Sequence, residues 1–157
     1  MLGNVLKWLF IQYNRGSLRQ KYYNGQLSVD GLSSEATIYT DNYGVPHIYA
    51  QNESDLFFTQ GFIHARDRAW QMEMNRRVAL GDISEAFGDV ALDTDRLVRT
   101  LGFNHLAEED YKIASEETKK ILQSYSDGVN AFFAKGNLPI EFKLAGIKPR
   151  LWNPIHS

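Results

Sequence analysis

The chain has 157 residues, no cysteine, a formal net charge of −2 at pH 7 and 43% apolar residues. The near-neutral charge argues against a nucleic-acid binder that neutralises phosphates, and the lack of cysteine excludes disulfides and thiolate metal sites. The length favours one domain with enough apolar residues for a core.

Residues 1–25 form a basic and aromatic segment. Met1 to Ile11 is apolar, but it is much shorter than the roughly 20 residues that span a bilayer, and it lacks a clear small-residue cleavage site. Two interpretations stay open, the stub of an anchor or export segment and a first helix packed on the domain. The anchor interpretation depends on side chains that suit a membrane interface: Lys7, Trp8, Phe10, Tyr13, Arg15 and Arg19.

From Gln26 the pattern favours β-structure. Gln26–Val29 alternates and Ala36–Thr40 is rich in β-formers, so both are predicted strands. Gly44 supplies a turn, and Val45–Ala50 returns as a strand with Pro46 at its start or on an edge. An isolated two-stranded hairpin is only marginally stable in water. This hairpin therefore needs more strands than the sequence supplies.

The stretch from Asn52 to Gly88 predicts a long helix, capped by Ser54 and ended by Gly81. Its apolar residues recur at steps of three and four: Leu56, Phe57, Phe58, Phe62, Ile63, Ala65, Ala69, Trp70, Met72, Met74 and Val78. Consecutive helical residues point about 100° apart. At least one charge of the Arg66-Asp67-Arg68 run therefore faces buried surface, where it needs a partner.

The rest of the chain is predicted to be mostly helical. The helices run from Asp93 or Thr94 to Leu101, from Asn104 to Ile113, and from the N-cap Ser115 to Gly136. The buried stripe of the last one is Ile121, Leu122, Tyr125, Val129, Phe132 and Phe133, and a Glu116–Lys120 pair supports its exposed face. The tail is extended or turning, and Phe142 and Trp152 pin it.

Two sets of polar residues are candidates for chemistry. The four histidines, His47, His64, His105 and His156, show no ligand spacing and are interpreted first as structural residues. Asp89, Asp93 and Asp95 suggest calcium, but they lack the glycine and distal glutamate of a twelve-residue calcium loop. Helix capping is the favoured use of these aspartates.

The charged residues of the long helix have two interpretations. The favoured one is an ion-pair network that ties the helix to its neighbours; the other is an arginine presented to a carboxylate-bearing substrate. The residues concerned are Arg66, Asp67, Arg68, Glu73, Arg76 and Arg77, with Glu85 as a partner beyond the helix. The aromatic stripe is interpreted first as core and second as the wall of an acyl pocket: Phe57, Phe58, Phe62 and Trp70.

The run Gly61–Arg77, followed by Gly81–Gly88, resembles the penicillin acylase (penicillin amidase) family of N-terminal-nucleophile hydrolases. Four other pieces are similar in the same order: Asp41–Ala50, Tyr125–Phe132, Leu138–Phe142 and Pro149–Pro154. The resemblance covers roughly residues 26–157 and implies the N-terminal part of the family's α chain, with residues 1–25 as a separate segment. The implied fold is mainly α with a short N-terminal β-hairpin, whose strands a partner chain completes in a four-layer αββα sandwich.

The resemblance also implies an activity. Family members are cut into an α and a β chain, and a serine at the N-terminus of the β chain is the nucleophile, with its own α-amine as base. We expect an amidohydrolase acting on the linear amide C–N bond of an N-acylated small molecule, a β-lactam or an acyl-homoserine lactone. No catalytic or metal-binding residue is assigned in this chain, which alone should be inactive, and its substrate-binding residues are unknown. Calcium is expected, if anywhere, in the full enzyme. His156 stands where the family usually has an aspartate.

The expected partners are a β chain from the same precursor and a small-molecule amide, and no nucleic acid. The isolated chain should self-associate through its exposed hairpin edge and aromatic surface. A bacterial, extracytoplasmic or membrane-associated location is expected rather than a cytoplasmic one. The alternative function is a non-catalytic binding or membrane-associated helical module that contacts a membrane surface through residues 1–25. Liposome sedimentation with and without that segment distinguishes the amidohydrolase function from the membrane-associated alternative.

Overall fold

The computed structural model describes residues 25–136 and 138–157. The anchor and first-helix interpretations of residues 1–25 lie outside the described residues, apart from Gly25, and the proposed boundary there stays a prediction. None of the described helices is long and apolar enough to cross a membrane.

The chain folds into a two-stranded antiparallel hairpin followed by helices, which confirms the mainly α class with a short N-terminal hairpin. The strands are β1 (Thr37–Thr40) and β2 (Pro46–Tyr49). The helices are α1 (Glu53–Leu80), α2 (Ser84–Phe87), α3 (Leu92–Leu101), α4 (Phe103–Ile113), α5 (Glu116–Ala134) and α6 (Ile140–Leu144). Single 3₁₀ turns occupy Gly88–Ala91 and Pro154–His156.

The hairpin turn is built by Asp41. One of its carboxylate oxygens accepts hydrogen bonds from the main-chain N–H groups of Tyr43 and Val45, both at 2.9 Å. Gly44 takes a φ of 81°, which a residue with a side chain rarely adopts. Pro46 is the first residue of β2, as predicted, where its missing N–H costs least.

The predicted strand Gln26–Val29 is wrong. A strand requires a ladder partner, and among residues 25–136 and 138–157 the sheet contains β1 and β2 alone. The segment is held instead by contacts such as the hydrogen bond from Lys135 Nζ to the Ser28 carbonyl, at 3.2 Å.

The N-cap of helix α1 lies two residues before the predicted cap, Ser54. Asn52 is extended (φ −148°, ψ 163°), and its side chain accepts the N–H of Asp55 at 2.9 Å. Ser54 lies inside the helix, so the prediction that it is the N-cap is wrong. Gly81 ends the helix in the left-handed conformation, as predicted. Arg68 leaves helical geometry (φ −138°, ψ 21°) and marks a kink.

Helices α1 and α5 cross with their backbones in close contact at two glycines. A Cβ atom on Gly61 would lie 2.1 Å from the Tyr125 carbonyl oxygen, and one on Gly128 would lie 1.9 Å from that of Phe58. Only glycine lets the two helices approach this closely. The long α1 and α5 therefore form one rigid pair on which the rest of the chain packs.

The core lies between this helix pair and the C-terminal tail. Its buried apolar members are Phe62, Ile63, Ala65, Ala69, Val129, Phe132, Phe142 and Trp152. The prediction that Phe142 and Trp152 pin the tail is confirmed. Ser115 caps α5 as predicted, at 3.1 Å from the Thr118 N–H, but Glu116 pairs with Lys119 rather than Lys120.

Candidate functional site

The second half of α1 buries charged residues as well as apolar ones. Glu73 is fully buried, and Arg76 and Arg77 are each 4% exposed, whereas Val78 on the predicted apolar stripe is 43% exposed. Charged groups are this deeply buried almost only when they are paired. The predicted stripe is therefore wrong at its C-terminal end.

Glu73 is the centre of a cluster of six charged residues, four of them buried, called here the Glu73 cluster. Its members are Glu73, Arg76, Arg77, Asp82, Glu85 and Arg150. Arg76 and Arg77 both donate to the Glu73 carboxylate, Arg77 through Nε at 2.7 Å. Arg77 also reaches Glu85 beyond the helix at 2.9 Å, so the predicted ion-pair network to Glu85 is confirmed.

The C-terminal tail closes this cluster through Arg150. Its guanidinium donates to Asp82 at 2.7 Å and to Glu85. Hydrogen bonds from Arg77 and then from Arg150 lower the pKa of Glu85 against the opposing effect of burial. The hydrogen bond to Asp82 raises the pKa of Arg150. Asp82 and Arg150 are not predictable as partners, because nothing in the sequence indicates which of the distant charges meet.

Trp152 fixes the tail beside the cluster. The Asn130 side chain of α5 accepts the Trp152 N–H at 2.7 Å and donates to its carbonyl at 2.9 Å. The guanidinium carbon of Arg76 lies 5.9 Å from the indole centroid, within the range of a cation–π contact. His156 packs edge-on against the same indole, and its Nδ1 accepts the Asn153 N–H at 3.0 Å.

Two buried carboxylates hold main-chain segments. Asp55 accepts hydrogen bonds from both the N–H and hydroxyl of Ser33 at 2.8 Å, and from the Ser34 N–H at 2.9 Å. Burial would raise the pKa of Asp55, but these bonds and one from Asn52 outweigh it and lower the pKa. Asp55 thus ties the segment before β1 to the first turn of α1.

Asp95 does the same for the start of α2. It accepts the N–H groups of Ile83 and Ser84, each at 2.9 Å, and its pKa is lowered because these bonds exceed the effect of burial. The favoured use of the aspartates in helix capping is confirmed for Asp95, although it caps a neighbouring helix. Asp93 instead lies 3.3 Å from Arg96. No group of three metal-ligating side chains converges within the described residues.

The Arg66-Asp67-Arg68 run is separate from the Glu73 cluster. Arg66 donates through Nε and Nη2 to the two oxygens of Asp67, at 2.9 and 3.1 Å, and its side chain is 10% exposed. The expectation that a charge of this run faces buried surface with a partner is confirmed. Arg68 donates to the Asp67 carbonyl at the kink.

Beside Arg66 lies a cavity of about 850 Å³ between the segment 25–40 and the first half of α1. Phe58 and Phe62 line it, whereas Trp70 packs against Phe142 with ring centroids 5.2 Å apart. The interpretation of Phe58 and Phe62 as core residues is confirmed by their burial. A role as the wall of an acyl pocket stays a prediction.

The histidines are dispersed over the molecule. His47 lies 3.3 Å from Asp41, and Nδ1 of His64 lies 2.9 Å from the hydroxyl of Tyr125, whose pKa is raised by burial. His105 is exposed. In the described part of the chain, none of the four is hydrogen-bonded to a serine or threonine hydroxyl.

The chain is similar to known proteins in both sequence and structure. A family model described as Penicillin amidase matches residues 35–157. The chain is 44% identical over 135 residues to Penicillin acylase 2 proenzyme of Pseudomonas sp. (strain SE83), covering 85% of this chain and 17% of that protein. It is 38% identical over 139 residues to Penicillin G acylase of Escherichia coli, covering 85% and 16%.

Relatives named as acyl-homoserine lactone acylases match as well. Acyl-homoserine lactone acylase QuiP of Pseudomonas syringae pv. syringae (strain B728a) is 35% identical over 136 residues, covering 85% of this chain and 16% of that protein. The chain thus spans about a sixth of the length of these relatives.

A solved structure shares the fold. The thermostable penicillin G acylase from Alcaligenes faecalis in tetragonal form is similar with a TM-score of 0.71 and 26% identity, covering 78% of this chain and 67% of that chain. The family match over most of the sequence and the shared fold lead to one conclusion: the chain belongs to the penicillin amidase family.

Proposed function

We propose that this chain is the N-terminal part of the α chain of an amidohydrolase that cleaves the amide bond of an N-acylated small molecule. The observation that carries the proposal is the family match over residues 35–157. Relatives named penicillin acylase and acyl-homoserine lactone acylase both match, so a β-lactam or a homoserine lactone is the amine side of the proposed substrate.

In this proposal the chain is scaffold and the reaction belongs to a β chain. The N-terminal serine of that chain attacks the amide carbonyl while its α-amine accepts the hydroxyl proton, since such an amine titrates near pH 8. Hydrogen-bond donors stabilise the negative oxygen of the tetrahedral intermediate, and a covalent ester forms before water releases the acid. The structural use of the buried charges in this chain supports this division, because Asp55, Glu73 and Asp95 each hold other parts of the protein in place.

The described residues do not fit a resident metal. Asp95 and Asp93 hold different partners, and no ligand group of three converges among residues 25–136 and 138–157. A calcium ion in the full enzyme would therefore need ligands from outside the described residues.

A chimera tests the proposal. Residues 25–157 replace the corresponding segment of the Penicillin acylase 2 proenzyme, to which the chain is 44% identical. We expect the chimera to be processed into two chains and to hydrolyse a penicillin and a chromogenic phenylacetyl amide, because the scaffold should support the relative's β chain.

Two controls define the outcome. The relative without its N-terminal segment and the isolated 157-residue chain should both show no hydrolysis of the same amides. A soluble, cooperatively folding chimera that is neither processed nor active would contradict the proposal, and so would turnover by the isolated chain. Parallel assays on an N-acyl homoserine lactone compare the two substrate classes.

A further inference from the structure

Helix α4 (Phe103–Ile113) presents an apolar stripe to solvent. Phe103, Leu106 and Ile113 are spaced three and seven residues apart, so they share one face of the helix. Their exposed fractions are 49%, 54% and 85%, and none of the 11 residues of α4, all of which the structure describes, is buried. A surface helix of a globular protein normally buries its apolar face against a neighbour. This stripe, called here the α4 stripe, therefore needs a segment to cover it.

Acidic side chains border the α4 stripe. Glu109 and Asp110 lie three and four residues after Leu106, on its side of the helix. The whole helix carries three carboxylates and one lysine, Lys112, so its formal charge is −2 with His105 neutral. Like charges that face each other across an interface are unfavourable. The border thus disfavours a second copy of α4 or an anionic lipid surface, and it favours a cationic partner.

The first residues of this chain match both properties of the α4 stripe. Their apolar side chains recur with the spacing of one helical face: Leu2, Val5, Leu6, Leu9 and Phe10. Lys7 lies at the edge of that face, and Arg15, Arg19 and Lys21 follow it. No acidic residue precedes Asp30. An apolar and cationic segment is thus available in the same chain.

The segment is long enough to reach α4. Gly25, the first described residue, lines the cavity of about 850 Å³ together with Arg66 of α1. From Arg66 neither end of α1 is more than about 21 Å away, at 1.5 Å per residue, and α4 contacts α1. Residues 14–24 span roughly 36 Å when extended. They can therefore connect Gly25 to residues 1–13 at any position along α1.

We propose that residues 1–13 pack as an amphipathic helix on the α4 stripe, with Lys7 beside Glu109 and Asp110. The apolar side chains of the two helices then bury each other, and such packing is the usual source of stability for a short helix. Exposed ion pairs contribute little, so the acidic border serves mainly to orient the segment. The contact goes beyond the amide hydrolysis proposed above and does not depend on it.

Engineered cysteines test the contact in the 157-residue chain, which has no cysteine of its own. One variant combines Leu6→Cys with Leu106→Cys. Its matched control combines Leu6→Cys with Tyr43→Cys at the hairpin turn, where the parent side chain is 93% exposed. We expect the first pair to close an intramolecular disulfide under mild oxidation roughly tenfold or more faster than the control, because a disulfide needs Cα atoms within about 7 Å.

Two results of the oxidation experiment would overturn the proposal. One is an equal rate of disulfide formation in the two variants. The other is a disulfide of the first pair that forms between molecules, at a rate that rises with protein concentration, because it would assign the α4 stripe to a second copy.

Hydrogen exchange tests the same contact without a new covalent bond. Leu6→Asp places a charge on the apolar face of the segment, whereas Asn4→Asp adds the same charge on the opposite face. Leu6→Asp should make the α4 amides exchange roughly tenfold or more faster, since an apolar side chain leaves the interface. Asn4→Asp should leave their exchange unchanged.

Exchange of the α4 amides that neither variant alters would contradict the docking. Vesicles of phosphatidylcholine and phosphatidylglycerol then identify the other occupant. Co-sedimentation of the parent chain that is lost in Leu6→Asp would assign the segment to a lipid surface and overturn the proposal.

Discussion

Single glycines set how closely the two long helices approach. At Gly61 and Gly128 the carbonyl of the opposite helix stands where a side chain would begin. Since the obstacle at both positions is main chain, no change of rotamer relieves a clash there. The sequence showed Gly61 and Gly128 inside helices, where glycine is unfavourable, but it gave no measure of the distance between the helices.

Gly128→Ala should therefore destabilise the protein. Alanine raises intrinsic helix propensity by about 1 kcal/mol relative to glycine, but the steric cost should exceed this gain and lower the free energy of unfolding by about 2–3 kcal/mol. The matched control is Asp127→Ala on the exposed side of the same helix, which should change stability little. Urea unfolding followed by circular dichroism measures both, and a more stable Gly128→Ala variant would refute the close crossing.

His156 should make stability depend on pH. Burial, and then the charge of Arg76, lower its pKa from 6.5 to about 4, while Asp82 acts in the opposite direction. Between pH 6.5 and about 4 the unfolded chain binds more protons at this site than the folded chain does. The free energy of unfolding should therefore fall as the pH falls through that window.

The test compares His156→Gln with His105→Gln, whose parent side chain is exposed. His156→Gln should reduce the loss of stability between pH 7 and pH 4.5, measured as the shift of the urea midpoint, while His105→Gln should leave that shift unchanged. If both variants kept the full pH dependence, the buried and neutral state of His156 would be excluded.

At the scale of elements, α1 has two halves of different character. The half before the kink at Arg68 packs apolar residues on α5, and the half after it buries Glu73 with two arginines. Periodicity predicted the first half well because apolar spacing reports a buried face. It failed in the second half, where Val78 is exposed, because burial there depends on charge partners that are remote in sequence.

Glu73→Gln isolates the contribution of that cluster. The substitution keeps the shape of the side chain but leaves Arg76 and Arg77 without their shared carboxylate in a buried place. Removing one partner of such a group costs about 3–5 kcal/mol. Glu116→Gln, which alters an exposed pair with Lys119 on α5, should cost at most about 0.5 kcal/mol. Chemical unfolding measures the stability of the two variants. Equal denaturant midpoints would contradict the conclusion that the Glu73 ion pairs stabilise the fold.

For the whole molecule, the sequence predicted most of the architecture and little of the site. The cap at Ser115 and the break at Gly81 are local signals, and the structure confirms both. Gln26–Val29 was mispredicted because a strand depends on a partner that alternation cannot reveal. The meeting of Arg150 with Asp82 is also non-local: these residues are 68 positions apart and become neighbours only after the tail folds back.

That late contact has a consequence for synthesis on the ribosome. The Glu73 cluster contains three carboxylates and three guanidiniums, and two of its arginines lie on α1 beside Glu73. Until Arg150 is translated, the three carboxylates of the cluster face two guanidiniums, so the nascent chain carries one surplus negative charge at this place. The charge balance, and with it the core around Trp152, is therefore completed only once residues 150–152 have been translated.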